Sequence, residues 1–407
     1  MTSKLEELIA KLCPNGVEYK KIGDVADYEQ PTKYIVKSTK YNNSFATPVL
    51  TAGQSFILGY TDELDNIYLA SKDDPVIIFD DFTGAIQWVD FPFKVKSSAM
   101  KMITAKPNVL IRYLYHWMSL LGFSSSEHKR LWIGTYSNFE IPVPPLEVQE
   151  EIVRILDTFT ELTAELTAEL TSRKKQYEYY RDALLTFDDN NPLHSLISRY
   201  CPNGVEYKNL KELGSFFGGL TGKNKNDFVD GNARYITYKN VYCNAAVDFS
   251  ANDFVKVSDG EKQNVLQYGD VIFTGSSETP DECGFSSAVT CHLNEEVYLN
   301  SFCFAFRFND VSVMNPYFSK YLFRSTALRS QIKRTANGVT RFNVSKALMS
   351  KVTIPVPPLD VQRQIVQILD RFDALCNDLT QGLPAEIEAR RKQYEYYRDQ
   401  LLNFKHI

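Results

Sequence analysis

The sequence predicts an α+β protein in which two α/β modules are separated by two long helices that form an antiparallel coiled coil. Three observations predict this arrangement: a tandem repeat, two long helical patterns with leucine-spaced apolar residues, and β-type runs between the repeated motifs. The repeat also continues from the end of the chain into its beginning. We therefore expect a pseudo-two-fold, circular arrangement in which the two ends of the chain lie close together.

Three motifs occur twice and frame two segments that share little sequence. The motifs are CPNGVEYK at 13–20 and 201–208, IPVPPL at 141–146 and 354–359, and KQYEYYRD at 175–182 and 392–399. A nearly identical frame around unlike contents is typical of one scaffold that carries two different specificities. A duplication that has drifted is the alternative, although drift does not readily keep the frame while it changes everything between.

Each IPVPPL motif opens a long helical pattern, because proline is tolerated in the first turn of a helix. Apolar residues follow at steps of three and four, and neither stripe can be buried alone. The two helices are therefore expected to pair along about 42 residues, or roughly 60 Å. The second pattern is longer by one four-residue step, which adds about 6 Å and roughly 40° of rotation. Gly382 and Pro384 are expected to kink or interrupt it.

The two segments between the motifs contain β-type runs followed by helical patterns. In the first, the runs are 47–51, 74–79, 91–95 and 101–104, with a helix at 109–121. In the second, the runs are 233–238, 269–274, 287–290 and 302–308, with helices at 316–333 and 344–349. Several strands followed by helices are typical of an α/β module, so each segment is expected to fold as one.

Composition places the chain among ordinary globular proteins of two or three domains. It has 407 residues, of which 44% are apolar and 23% charged, with a net charge of −5. Seven cysteines without a CxxC pair favour a reducing compartment, so a cytoplasmic location is expected. The first residues lack the apolar run of a signal peptide, and the apolar-rich window 109–123 is too short to span a bilayer.

Basic residues are concentrated locally, although the chain as a whole is slightly acidic. No Asp or Glu occurs from 91 to 126 or from 311 to 359. Local basic zones are what a phosphate-facing surface requires, although exposed Lys and Arg are also ordinary solvated surface. Reading bases requires forked polar groups near the phosphates, on loops that can reach a groove.

Candidate DNA-contacting residues lie in these zones, in loops after strands, and around Gly134 and Gly338. In the first segment they are Thr51, Gln54, Lys94, Lys96, Lys129, Arg130, Tyr136 and Asn138. In the second they are Thr274, Ser276, Arg329, Lys333, Arg334, Asn337, Thr340, Arg341 and Asn343.

No pattern in the sequence points to catalysis or to a metal site. HExxH is absent, and Cys283, Cys291, His292 and Cys303 lack the spacing of zinc ligands. The glycine cluster at 218–223 differs from a P-loop in its spacing and in the Asn that follows its lysine. We therefore expect a binding protein with no catalytic residue, metal or cofactor of its own.

The arrangement resembles the DNA-specificity (S) subunit of type I restriction–modification systems. The resemblance rests on the three duplicated motifs and on the leucine-spaced tetrads TAEL at 163–166 and 167–170. It implies a cytoplasmic, non-catalytic DNA-binding subunit of a type I restriction–modification complex. Each target-recognition domain would read one half of a bipartite site, and the helix pair would set the spacing and dock methyltransferase (M) subunits.

The resemblance also implies domain boundaries and partners. Target-recognition domains 1 and 2 would span 1–145 and 191–358, and the two spacer helices would span 146–190 and 359–407. The expected partners are double-stranded DNA, two M subunits and restriction/translocase (R) subunits, with no membrane. S-adenosylmethionine, ATP and Mg²⁺ would belong to the partner subunits, and methylation of an adenine in each half would proceed by base flipping.

Two other classes of function remain open at the level of sequence. A coiled-coil scaffold that binds only proteins would show no salt-dependent affinity for DNA. A self-contained restriction or modification enzyme would show nuclease or methyl-transfer activity of its own.

Overall fold

The computed structural model describes residues 3–51, 56–123 and 129–407. The helices are α1 (Ser3–Leu12), α2 (Ile22–Val25), α3 (Ile111–Leu121), α4 (Leu146–Leu184), α5 (His194–Tyr200), α6 (Leu210–Leu213), α7 (Tyr238–Cys243), α8 (Pro316–Leu322), α9 (Thr326–Lys333), α10 (Lys346–Met349), α11 (Leu359–Asn377) and α12 (Leu383–Leu401).

The strands carry both modules. They are β1 (Tyr19–Lys21), β2 (Ala26–Glu29), β3 (Thr47–Leu50), β4 (Ile57–Thr61), β5 (Val76–Asp80), β6 (Ile86–Val89), β7 (Lys94–Val95), β8 (Met100–Ala105), β9 (Glu140–Pro142), β10 (Tyr207–Asn209), β11 (Gly214–Gly218), β12 (Ala233–Ile236), β13 (Phe254–Val255), β14 (Val271–Thr274), β15 (Ser276–Ser277), β16 (Ser286–Ala288), β17 (Val297–Leu299), β18 (Cys303–Phe308), β19 (Ala336–Asn337), β20 (Phe342–Val344) and β21 (Thr353–Pro355). Each predicted β-type run overlaps one of these strands.

The chain forms two compact units. Unit 1 contains Met1–Thr167 and Glu386–Ile407, and unit 2 contains Ala168–Ala385. Both boundaries fall within long helices, α4 and α12. Each unit therefore holds one α/β module together with helical segments from both repeats.

The two modules have the same strand topology although their sequences share little. In unit 1 an antiparallel sheet runs β2-β8-β5-β6, and in unit 2 the corresponding order is β11-β18-β14-β16. A second sheet has the order β4-β3-β7 in unit 1 and β13-β12-β17 in unit 2. In both, the central strand is antiparallel to one neighbour and parallel to the other. The predicted fold class, two α/β modules on a repeated frame, is confirmed.

The repeated glutamine after each IPVPPL motif ties the module to its helix. Gln149 is fully buried, donates to the carbonyls of Pro144 (2.7 Å) and Asn108 (3.0 Å), and accepts from the Leu110 N–H (2.9 Å). In unit 2, Gln362 is equally buried and makes the corresponding three bonds to Pro357, Val313 and Asn315. Each buried amide thus satisfies three backbone groups, of which the proline carbonyl would otherwise be buried without a partner.

Aromatic stacking pairs the long helices in an antiparallel manner. In unit 1, Phe159 near the start of α4 stacks on Tyr397 near the end of α12, with ring centroids 5.1 Å apart. In unit 2, Tyr180 near the end of α4 stacks on Phe372 in α11, at 5.4 Å. These are corresponding residues of the two repeats, so each unit builds the same contact, and the predicted antiparallel pairing is confirmed.

The second long helix is interrupted, as Gly382 and Pro384 predict. The segment between α11 and α12 turns sharply, and a Cβ at Gly382 would lie 2.5 Å from the Ala374 carbonyl oxygen. Leu379, predicted to continue the apolar stripe, is instead 80% exposed because it lies in this turn after α11 has ended. The predicted helix at 316–333 is also divided, because Ser325 caps a new helix by accepting from the Leu328 N–H.

The two ends of the chain lie side by side within unit 1, as predicted. The Val17 N–H donates to the Lys405 carbonyl (2.9 Å), and the Ile407 N–H donates to the Val17 carbonyl (3.2 Å). The Tyr19 hydroxyl donates to the Phe404 carbonyl at 2.8 Å. The last residues of the chain therefore pack against the first copy of the CPNGVEYK motif in unit 1.

Two lysines of the first basic zone, Lys94 and Lys101, are buried, which corrects one predicted contact. The Lys94 side chain is fully buried, with its Nζ 2.9 Å from a Glu63 carboxylate oxygen and 2.7 Å from the Asp65 carbonyl oxygen. Lys101 is buried in an ion pair with Asp81 at 3.2 Å. The prediction that Lys94 contacts DNA is wrong, because its ammonium group already lies against acidic and carbonyl oxygens inside unit 1.

We expect Gln149→Ala to lower the free energy of unfolding by about 1–3 kcal/mol, because it removes three hydrogen bonds and leaves the buried Pro144 carbonyl without a partner. Urea titration measures the loss. The control is Gln176→Ala on the exposed surface of the same helix, expected to change stability by less than about 0.5 kcal/mol. Equal effects of the two substitutions would contradict the role of Gln149.

We expect Lys94→Ala to cost about 3–5 kcal/mol of stability, because it leaves the mostly buried Glu63 carboxylate without its cation. Lys96→Ala, two residues along on the exposed surface, is the control, with a change within about 0.5 kcal/mol. Thermal unfolding distinguishes them. A stable Lys94→Ala protein with weakened, salt-dependent DNA affinity would instead restore Lys94 as a phosphate contact.

Candidate nucleic-acid interface

A small three-stranded sheet in unit 2 brings together several residues that the sequence predicts to contact DNA. Strand β20 pairs with β15 on one side and β19 on the other, so that Asn343 lies opposite both Ser276 and Asn337. The side chains of Asn337 and Asn343 are exposed. The predicted clustering of these polar groups is therefore a consequence of strand register.

The turn between β19 and β20 presents its residues to solvent. Gly338 has φ +151°, and a Cβ there would lie 2.0 Å from the Arg341 carbonyl oxygen, so the turn requires glycine. Val339 is 91% exposed, and Thr340 and Arg341 are also exposed. A short hairpin with a protruding tip suits insertion into a groove of DNA.

Beside this turn is a cleft of about 900 Å³, here named the hairpin cleft. Its lining residues are Tyr238, Tyr242, Ser276, Ser277, Glu278, Glu282, Phe302, Val339, Thr340 and Arg341. Sequence reasoning identified three of them, Ser276, Thr340 and Arg341. It missed the aromatic residues and the two glutamates, because a search for phosphate-facing residues passes over acids and over aromatic side chains that are common in this chain.

Two opposite charges in the hairpin cleft are held in place by hydroxyl groups. The Arg341 Nε donates to the Ser276 Oγ at 3.3 Å, and the guanidinium carbon lies 5.5 Å from the centroid of the Phe302 ring. The Glu282 carboxylate accepts from the hydroxyls of Tyr242 (2.8 Å), Thr279 (2.9 Å) and Ser277 (3.1 Å). These bonds, that of Tyr242 most of all, lower the pKa of Glu282 and keep it ionised.

Three of the predicted residues in unit 2 are buried, namely Thr274, Ser276 and Arg329. Ser276 lines the hairpin cleft, and the other two support the site from inside. Thr274 is fully buried, and its Oγ1 accepts from the Phe285 N–H at 2.9 Å. Arg329 is buried and donates to the carbonyls of Gly284 (2.5 Å), Cys283 (2.7 Å) and Asp281 (2.9 Å); burial lowers its pKa. The predictions that these two side chains contact DNA are wrong, because their polar atoms are already bonded within the fold. Arg329 instead fixes the loop that carries Glu282.

The remaining predicted cations of unit 2 lie at the end of α9, where Lys333 is its last residue and Arg334 follows it. Lys333 pairs with Asp281 at 2.7 Å, and Arg334 contacts the Ser330 hydroxyl at 3.3 Å. Both side chains are accessible, and a surface ion pair of this kind is weak enough to exchange for a phosphate.

In unit 1 the predicted residues are brought together less completely. Tyr136 is buried, with its hydroxyl donating to the Met118 carbonyl at 3.1 Å and its ring stacked on Trp132. The prediction that Tyr136 contacts DNA is wrong, because the ring is part of the core. Lys96, Lys129, Arg130 and Asn138 are exposed, and Thr51 is half-buried. Gln54 lies outside the described residues.

Among residues 3–51, 56–123 and 129–407, no three His, Cys, Asp or Glu side chains are placed to hold a metal ion together. In those same ranges, every helix is too short or too polar to cross a membrane.

The chain matches the family model described as the type I restriction modification DNA specificity domain, at residues 14–173 and again at 202–389. It is 42% identical to the type I restriction enzyme EcoR124I/EcoR124II specificity subunit of Escherichia coli, over 95% of this chain and 94% of that protein. A putative type I restriction enzyme specificity subunit of Haemophilus influenzae is 29% identical, over 95% and 96% of the two chains.

Solved structures show the same fold at low sequence identity. The type I restriction–modification S subunit from M. genitalium is 13% identical, with a TM-score of 0.55 over 96% of this chain and 97% of that one. A chain from a study of complex assembly in the type I system is 16% identical, with a TM-score of 0.54 over 96% and 98%. The two family matches each cover one module and its helix start. The chain therefore belongs to the family of type I restriction–modification DNA specificity subunits, the non-catalytic recognition components of these systems, and its two modules are its target-recognition domains.

Proposed function

We propose that this chain reads a bipartite double-stranded DNA site, with one half read by each target-recognition domain. The observation that carries the proposal is the pair of modules with identical strand order and different exposed residues, framed by motifs that repeat almost letter for letter. A single continuous target would not need two topologically equivalent modules with unlike surfaces.

Within unit 2, the exposed residues divide by the kind of contact they can make. Lys333 and Arg334 are suited to phosphates, because a cation on a helix surface neutralises the backbone without reading sequence. Asn337, Thr340, Arg341 and Asn343 are suited to base edges. For unit 1 we propose Thr51, Gln54, Lys96, Lys129, Arg130 and Asn138, with Ser276 of unit 2 supporting Arg341.

The proposed partners are two M subunits and the R subunits of a type I complex. The duplicated KQYEYYRD motif offers two equivalent docking surfaces, because Tyr179 and Tyr396 occupy the same position in the two copies and are 69% and 63% exposed. Large exposed aromatic side chains are typical anchors of protein interfaces.

S-adenosylmethionine, ATP and Mg²⁺ would be bound by the partner subunits, and the M subunits would methylate an adenine in each half after flipping it out. We place the complex in the cytoplasm.

The first long helix is proposed to set the spacing between the two halves. It is continuous over Leu146–Leu184 and includes the tetrads at 163–170. We propose domain boundaries of 1–145, 146–190, 191–358 and 359–407 for the recognition domains and spacer helices in turn.

Methylome sequencing of a host that expresses this chain with its M subunit tests the proposal. We expect one motif in two specific halves separated by a fixed number of unspecified bases. A continuous motif would contradict the two-halves model. Methylation without any sequence preference would contradict DNA reading itself. So would a level of methylation no higher than in a host that expresses the M subunit alone.

Inserting a second Thr-Ala-Glu-Leu tetrad after Leu170 should lengthen the spacer and leave both halves unchanged. One tetrad adds about 6 Å of helix, which corresponds to about one or two base-pair steps of DNA. Thr167→Ala, which alters a tetrad without changing its length, is the control and should keep the original spacer. Altered half-sites after the insertion would refute the proposed role of the helix.

The double variant Tyr179→Ala, Tyr396→Ala should lose both M subunits, with an affinity roughly tenfold or more weaker. Each single variant should retain one M subunit, which mass measurement of the purified complex detects. Tyr200→Ala removes another exposed tyrosine, outside the repeated motif, and should retain two. Two bound M subunits in the double variant would rule out this docking surface.

A further inference from the structure

Building on the proposed DNA-reading function, we infer that the hairpin cleft of unit 2 recognises one G·C base pair. Arg341 donates to guanine, and the Glu282 carboxylate accepts from the amino group of cytosine. The juxtaposition of a fork-shaped donor and an ionised acceptor in one accessible cleft carries this inference.

The hairpin cleft contains two carboxylates, although the surface around it is proposed to face negatively charged DNA. Glu278 and Glu282 line the same cleft as Arg341. A carboxylate repels phosphates, so neither residue serves backbone binding. In the major groove, the hydrogen-bond donors that DNA offers are the amino groups of cytosine and adenine, and an ionised carboxylate is the side chain that only accepts.

Glu282 is organised as an acceptor before any DNA arrives. One carboxylate oxygen accepts from Tyr242, and the other accepts from both Ser277 and Thr279. A carboxylate has about four acceptor positions, so the oxygen facing Tyr242 retains capacity for one more donor. The three hydroxyl donors also keep the pKa of Glu282 low, which prevents the group from becoming a donor itself.

Arg341 is positioned as the complementary donor. Its Nε is occupied by Ser276, and its guanidinium lies over the Phe302 ring, which leaves the terminal nitrogens without a partner among the described residues. A planar guanidinium pairs in bidentate fashion with the O6 and N7 acceptors of guanine. Ser276 and Ser277 are adjacent and contact Arg341 and Glu282 respectively, so the two charges are anchored at neighbouring positions of β15.

Cytosine fits the acceptor better than adenine does. The adenine amino group lies beside N7, whose lone pair would face the carboxylate, whereas the cytosine amino group has no acceptor next to it on the major-groove edge. The guanine opposite this cytosine supplies the two acceptors that Arg341 requires. One base pair therefore satisfies both charges of the cleft.

The first test determines the methylation motif of the complex that this chain forms with the M subunit. It compares the unaltered chain with the cleft variants Glu282→Gln and Arg341→Ala. The control is Glu212→Gln, which changes an exposed glutamate of α6. We expect both cleft variants to relax the same G·C position, in one half only, by roughly tenfold. The control should keep the full motif. Relaxation at two different positions, at an A·T pair, or at none would overturn the inference.

The second test leaves the protein unaltered and changes the DNA, so folding of a variant is not at issue. Replacing that guanine by 7-deazaguanine, or that cytosine by N4-methylcytosine, should each weaken binding roughly tenfold. The same replacements in the spacer should have no effect. Unchanged binding with both modified bases would overturn the G·C assignment while leaving the bipartite function intact; absence of any motif for the unaltered complex would instead overturn both.

Discussion

Each long helix carries an apolar stripe that its own repeat cannot cover, and the rest of the structure depends on how that stripe is buried. An amphipathic helix of this length is stable only when its apolar side packs against another element. In unit 1 the start of α4 is covered by the end of α12, and in unit 2 the end of α4 covers α11. Each module is thus completed by residues of the other repeat, which requires the helix starts and helix ends to match in both copies.

The same frame explains how the two modules can differ so widely in sequence. Gln149 and Gln362 attach the modules to their helices through main-chain N–H and C=O groups only. Main-chain groups are present whatever the side chain, so the attachment does not depend on the residues of the module. The strands of each sheet are likewise joined by backbone hydrogen bonds, which most side chains allow. Exposed turns such as 338–341 are therefore available for different contacts.

At the candidate site, residue type alone predicts only in part which side chains are exposed. The residues around Gly338 were predicted as a cluster because several polar, forked side chains occur within a few positions of a glycine, and the β19–β20 turn brings them together. Lys94, Thr274, Arg329 and Tyr136 have suitable side chains but are buried. Each lies on a strand, a helix or a turn whose inward face is set by packing partners far away in the sequence, such as Glu63 for Lys94 and the 281–284 loop for Arg329. Glu282 was not predicted, because its role as an acceptor depends on Tyr242 and Arg341, which are far from it in the sequence.

The sequence by itself determined the repeat, the long helices with their interruption at Gly382, the strands of both modules and the closeness of the two ends. These features are local, or are copied twice in the chain, so periodicity and proline and glycine positions are sufficient to reveal them. Tertiary structure alone decided which cations are buried, that the Tyr242 hydroxyl bonds Glu282, and that Arg341 shares the cleft with Glu282. These depend on contacts between residues tens of positions apart, and only the register of paired strands fixes which side chains meet.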